Sequence, residues 1–143
     1  MYINPSEVTS PRISISNLRP VCDAGEWEFS VAVLDWDHRP RIGVRWNGGT
    51  EEGRQTPGNP QSRGLPTWFV LPEEFNAAIL QLLLDKGLVG GGSIDKANAT
   101  SCIREELARY PNASTAESTK PKASEVEAIV VAVLKRMKAA GEL

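Results

Sequence analysis

The spacing of apolar residues changes once along the chain, at Pro72, and that change divides what the chain can fold into. Upstream, apolar side chains recur at every second position in short runs bounded by turn residues, the pattern of half-buried strands. Downstream they recur every three or four positions, the spacing of one helix face. A β-rich part followed by a helical part implies an α+β architecture: a small antiparallel sheet of three or four strands, then three helices. An SH3-like partly closed barrel with a helical appendage is the alternative for the β part. With 143 residues, the chain is long enough to bury a core without metal or disulfide.

Within the β part, Arg12-Ile13-Ser14-Ile15-Ser16 alternates as a strand. Residues 26–47 read as a β-hairpin: Glu26 to Trp36 is rich in Trp, Phe and Val, Asp37-His38-Arg39-Pro40 supplies a turn, and Arg41 to Trp46 alternates again. Two registers are open. A three-residue loop sets Leu34 opposite Ile42 and Asp35 opposite Arg41, whereas a two-residue loop sets Val33 opposite Val44 and Trp36 beside Arg41. In either, Arg41 and Arg45 share a face, with Gly43 leaving a shallow gap between their guanidinium groups. The Gly and Pro content of residues 47–66 argues against a regular helix or central strand, so a long functional or disordered loop is expected. Thr67 to Leu71 reads as a final buried strand.

Helical spacing begins after Pro72, with Glu73 and Glu74 suited to a helix start and Gly87 to its end. The expected helices cover about 73–86, the central one packed on the sheet, and 94–109, capped by Ser93 or Asp95. Gly90-Gly91-Gly92 reads as a flexible connector between them, since it lacks the lysine and fixed spacing of a phosphate loop. Residues 111–123 have no large apolar side chain and read as a linker. Ser124 and Glu127 then form a capping box for an amphipathic helix over 124–141. Its apolar stripe, Val126, Ile129, Val130, Val133, Leu134 and Met137, is a candidate homodimer face. The expected organisation is thus an α+β domain over 1–110, the linker, and the last helix.

Several chemistries are poorly supported. The one histidine, His38, falls in the hairpin turn and reads as a turn residue rather than a general base. One His and two distant cysteines cannot build a His/Cys zinc site, the acids follow no calcium-loop spacing, and no nucleophile elbow or Walker motif occurs. No metal or cofactor is expected. Cys22 and Cys102 read as free thiols. The start of the chain has no secretory pattern and no apolar run approaches a membrane span, so a cytoplasmic, bacterial or phage-like protein is expected.

The most informative bias lies in the cations. All seven positive residues before position 67 are arginine, and all six lysines come at Lys86 or later. Arginine offers a planar bidentate fork that suits interfaces, and Trp and Arg dominate binding hot spots. Arg41, Arg45, Trp46, Arg54, Arg63 and Trp68 are therefore the candidate binding residues. They imply a small non-enzymatic adaptor that engages a protein partner through residues 38–68. One alternative is a binder or enzyme for an anionic metabolite with loop 47–66 as lid. Another is a nucleic-acid-binding accessory protein, less favoured because the first 66 residues set seven arginines against eight acids.

Overall fold

A computed structural model describes residues 3–111. In chain order it contains β1 (Ile15–Asp23), β2 (Phe29–Trp36), β3 (Arg39–Trp46), β4 (Gly49–Glu51), β5 (Arg54–Thr56), β6 (Gln61–Ser62), β7 (Leu65–Pro66), β8 (Phe69–Val70), α1 (Asn76–Asp85) and α2 (Lys96–Leu107). Single 3-10 turns occupy Pro5–Glu7 and Glu73–Phe75. The main sheet is antiparallel, in the order β1-β2-β3-β8. The α+β class expected from periodicity is present, with two α-helices in the described residues rather than three. The helix expected over 124–141, with its dimer stripe, and the linker beyond Pro111 lie outside them.

The β2–β3 hairpin departs from both expected registers. Trp36 faces Arg39, Leu34 faces Arg41 and Val33 faces Ile42. Asp37 and His38 form the two-residue turn with φ of 50° and 67°, left-handed at both positions as a type I′ turn requires. Asp and His tolerate that region better than most residues. The turn therefore closes early, and Arg39-Pro40 joins β3. A two-residue turn makes Trp36–Arg39 the hydrogen-bonded pair, so Asp35–Pro40 is a non-bonded pair. The N–H that proline lacks would have pointed away from β2.

On the other side of β2, β1 carries two register irregularities, between Ser16 and Arg19 and between Pro20 and Cys22. These break the two-residue period. The strand expected at Arg12–Ser16 begins only at Ile15 and runs to Asp23, leaving Ile13 95% exposed. The expected buried strand over Thr67–Leu71 is likewise shorter. Only Phe69–Val70 pairs as β8, and Phe69 is open to solvent.

Both faces of the sheet carry apolar clusters. On one, Val21, Val31, Val33 and Ile42 pack against Leu80 and Leu83 of α1 and Ala99 and Ile103 of α2. On the other, Ala32 and Leu34 meet Val8 and Trp68. Each fully buried aliphatic side chain of this kind contributes about 1.5–3 kcal/mol. Gly43 lets Trp68 lie directly on the sheet, since a Cβ there would come within 3.0 Å of the Trp68 Cβ. The Trp68 indole N–H donates to the Val8 carbonyl at 2.8 Å.

The helices start and stop for local reasons. The region after Pro72 makes its 3-10 turn before α1, and Gly87 follows it at φ +65°. Asp95 caps α2, its side chain accepting from the Asn98 N–H at 3.0 Å. The Gly90–Gly92 connector is tied down rather than loose. The Gly90 N–H donates to the Val21 carbonyl at 2.8 Å, and the Asp23 N–H donates to the Gly90 carbonyl at 2.9 Å. This short stretch covers the outer edge of β1 at Cys22. No helix among the described residues is long and apolar enough to cross a membrane.

Residues 47–66 are not the irregular loop expected. They fold as two miniature hairpins, β4–β5 turning at Glu52-Gly53 and β6–β7 turning at Arg63-Gly64. All four turn residues have positive φ, between 49° and 77°. The two ends of the β4–β5 hairpin cross so closely that a Cβ on Gly48 would sit 1.5 Å from the Thr56 carbonyl oxygen. Gly48→Ala should therefore cost about 3 kcal/mol by overpacking. Gly53→Ala, at a turn tip with φ +76° and open space, should cost only about 1 kcal/mol. Urea unfolding of the two variants checks this, and equal losses would mean the crossing does not constrain the fold.

Candidate functional site

Strand parity places Phe29 and Val31 of β2, Val44 and Trp46 of β3, and Phe69 of β8 on the helix-covered face of the sheet. Val31, Val44 and Phe69 form one row across three strands, and Phe29 faces Trp46 in the next row. α1 and α2 cover the Val33–Ile42 end and leave this end open. Trp46 stays 61% exposed and Phe69 60% exposed. With Pro60 as a wall, these residues line a groove of about 500 Å³.

The wall comes from the segment between β5 and β6, folded back along β3. The Trp46 N–H donates to the Asn59 carbonyl at 2.8 Å, and the Asn59 N–H returns a bond to Trp46 at 3.1 Å. Arg45 fixes the same segment from the opposite face. Its guanidinium donates to the Thr67 carbonyl at 2.9 Å and to the Pro57 carbonyl. Burial holds the Arg45 pKa below its usual value, and carbonyl dipoles take the place of water around the charge.

The six sequence-predicted residues therefore divide. Arg41 and Arg45 do share a face, but they do not present guanidinium groups outward. Arg45 is 4% exposed, because its face of β3 is the one that the loop and Trp68 cover. Arg41 is half-buried and donates to Glu73 Oε2 at 3.3 Å and to the Pro40 carbonyl at 3.0 Å. The gap expected over Gly43 is filled by Trp68, itself 3% exposed and part of the core. Trp46 lines the groove. Arg54, across the ladder from Glu51, and Arg63, at a hairpin tip, are both exposed. The structure brings Trp46 together with Phe29, Val44, Pro60 and Phe69, which the arginine bias gave no reason to choose.

At one end of the groove strands, a buried polar cluster joins the segment after β1 to the residue after β3. Asn47 Nδ2 donates to Asp23 Oδ1 at 3.1 Å and to the Gly25 carbonyl at 2.7 Å. Ser30 Oγ donates to Asn47 Oδ1 at 2.7 Å. Ser30 is fully buried, and its Oγ also lies 3.4 Å from Asp23 Oδ1, so the hydroxyl is shared between the amide and the carboxylate and sealed from solvent. Asp35, which sequence placed near His38, accepts from Asn17 Nδ2 at 2.7 Å. Among the described residues, no group of His, Cys, Asp and Glu is placed to hold a metal ion.

Cys22 and Cys102 are both free thiols. Burial, with the Asp23 charge adding to it, pushes Cys22 up to about 11, and burial also raises Cys102. A raised folded-state value stabilises the fold fully below the unfolded value, near 9.0, and that stabilisation is lost as pH climbs toward 11. Melting temperature should therefore fall more steeply between pH 9 and 11 for the wild type than for Cys22→Ala. Parallel slopes in calorimetry would show that Cys22 is not the titrating group. Arg45→Met should lose about 2–4 kcal/mol in urea unfolding, since two carbonyls lose their donor. It should also speed tryptic cleavage at Arg54 and Arg63, and Arg45→Lys should restore little because the planar fork is gone.

Comparison of the chain with protein-family models, curated proteins and solved structures finds no match.

Proposed function

We propose that this protein is a small non-enzymatic binding module that engages a protein partner through the Phe29–Trp46–Phe69 groove. Arg54 and Arg63, on the two miniature hairpins, add polar contacts. The observation that carries this reading is the pair of large aromatic side chains, each about 60% exposed, beside a preformed apolar groove. Exposed apolar patches of a few hundred Å² on a monomer are often interaction sites, and aromatic residues supply anchoring area at low entropic cost. Arg45 and Trp68 support the site from beneath and do not contact the partner.

The anionic-metabolite reading fares less well. It needs cations in the pocket, and Arg41 and Arg45 are engaged elsewhere. It also needs a lid, whereas the segment around Asn59 is bonded along β3 as a wall. Bases stack on aromatic faces, but a nucleic-acid site also needs a positive field, and the arginines here are offset by acids. From sequence alone we add a cytoplasmic location and self-association through Val126, Ile129, Val130, Val133, Leu134 and Met137.

The test compares immobilised wild type with Trp46→Ala/Phe69→Ala and Arg54→Ala/Arg63→Ala in capture from a lysate, with melting temperature measured for each. The aromatic pair should lose captured protein at nearly unchanged melting temperature, and the arginine pair should weaken capture about threefold to tenfold. Capture that is insensitive to the aromatic pair, or tight binding of oligo-dT at low salt, would overturn the reading.

A further inference from the structure

The geometry points to the kind of segment the groove takes: a short extended stretch that adds as a strand beside β8 and lays uncharged, large apolar side chains over Phe69 and Trp46. This rests on the groove reading above and specifies the occupant's conformation and chemistry.

The first support is the sheet edge. The order β1-β2-β3-β8 leaves the outer side of β8 unpaired among the described residues. The Leu71 N–H donates to the Ile42 carbonyl at 2.9 Å, which makes Leu71–Ile42 a hydrogen-bonded pair in the β3–β8 register. Hydrogen-bonded and non-bonded pairs alternate in an antiparallel ladder. Val44–Phe69 is therefore hydrogen-bonded and Gly43–Val70 is not, so the Val70 N–H and C=O point outward from the edge. A peptide backbone placed there, at the usual strand spacing of about 4.8 Å, finds a donor and an acceptor waiting.

The second support is the side-chain row. Val31, Val44 and Phe69 line up across β2, β3 and β8, and the row stops at an exposed phenylalanine. A fourth strand continues it, placing one side chain opposite Phe69 and same-face neighbours two residues away. A helix laid on the groove would cover the rings but leave Val70 without partners.

Charge and area choose among occupants. Among the described residues that line the groove, Arg45 alone is charged, and its guanidinium turns to the opposite face, where the Pro57 and Thr67 carbonyls hold it. Arg54 and Arg63 lie on the hairpins outside the groove lining, so within the groove no available charge among the described residues meets the occupant, and a charged side chain there would be desolvated without compensation. A large aromatic side chain carries about 150–250 Å², so Trp46 and Phe69 offer roughly 100–150 Å² apiece. That is well short of the ~800 Å² per partner in a stable protein interface. It suits a short segment rather than the flat face of a second globular copy.

The experiment is selection of random twelve-residue peptides displayed on phage against the full chain, with Trp46→Ala/Phe69→Ala as counter-selection. Enriched peptides should carry large apolar residues at alternate positions with no charge between them. A synthetic copy should bind the wild type at least tenfold more tightly than Phe69→Ser, and in amide exchange it should slow the Val70 N–H. Groove-dependent peptides whose apolar residues recur every three or four positions, or which leave Val70 exchange unchanged, would overturn strand addition and leave the groove reading standing. Enrichment no greater on the wild type than on the double variant would overturn both. Binding of oligo-dT that shifts the Phe69 ring signals would replace the peptide with a nucleic acid.

Discussion

The candidate site depends on one buried charge. Arg45 stands on β3 with its side chain on the face opposite the groove, and it spans the returning chain by bonding carbonyls at Pro57 and Thr67. Without that fork, the start of the 47–66 segment would still be tied through Asn47, Gly48 and Thr50, but the stretch around Pro57 would keep only the Trp46–Asn59 and Thr67–Pro60 backbone bonds nearby. A buried guanidinium is costly unless its donors are satisfied, and backbone carbonyls do this without placing a second ion in the interior. The same side chain thus brings Pro60 to the groove and keeps positive charge out of it.

The incomplete cover of the sheet follows from element lengths. α1 and α2 span 10 and 12 residues, which at about 1.5 Å per residue is under 20 Å each. β2 and β3 are 8 residues long, or about 26 Å at the strand rise. The helices bury the half around Val33 and Ile42 and end before the half around Phe29 and Trp46. On the opposite face, Val8 and Trp68 cover the sheet more fully, because the segments that carry them are tied by the Trp68 indole and by Thr67 Oγ1, which donates to Ser10.

How far these features could be read from the residues depended on how local their causes were. The hairpin and the two helices were legible because alternation, Asp95 and Gly87 are local signals that tertiary packing did not override. The register was not. Arg39-Pro40 looked like turn chemistry, and only the tolerance of Asp37 and His38 for left-handed backbone showed otherwise. β1 was hidden by its own bulges, which break the period that would have revealed it. The Glu52-Gly53 and Arg63-Gly64 dipeptides did carry a hairpin signal, masked by the glycines and prolines around them. The groove had none: Phe29 and Val44 alternate on one face just as Leu34 does on the other, and nothing local says which face a helix will fail to reach. The arginine bias gave Arg45 an outward guanidinium, whereas its side chain is buried under the returning chain.

The two rims of the main sheet are finished differently. Along β1, the Gly90 stretch occupies the backbone beside Cys22, whereas among the described residues no strand pairs with the outer side of β8. A strand arriving at the Cys22 end of β1 would have to displace the Gly90 bonds, whereas one arriving at β8 displaces none among the described residues. Pairing that used the outer side of β8 would consume it, leaving that edge nothing to offer a further strand.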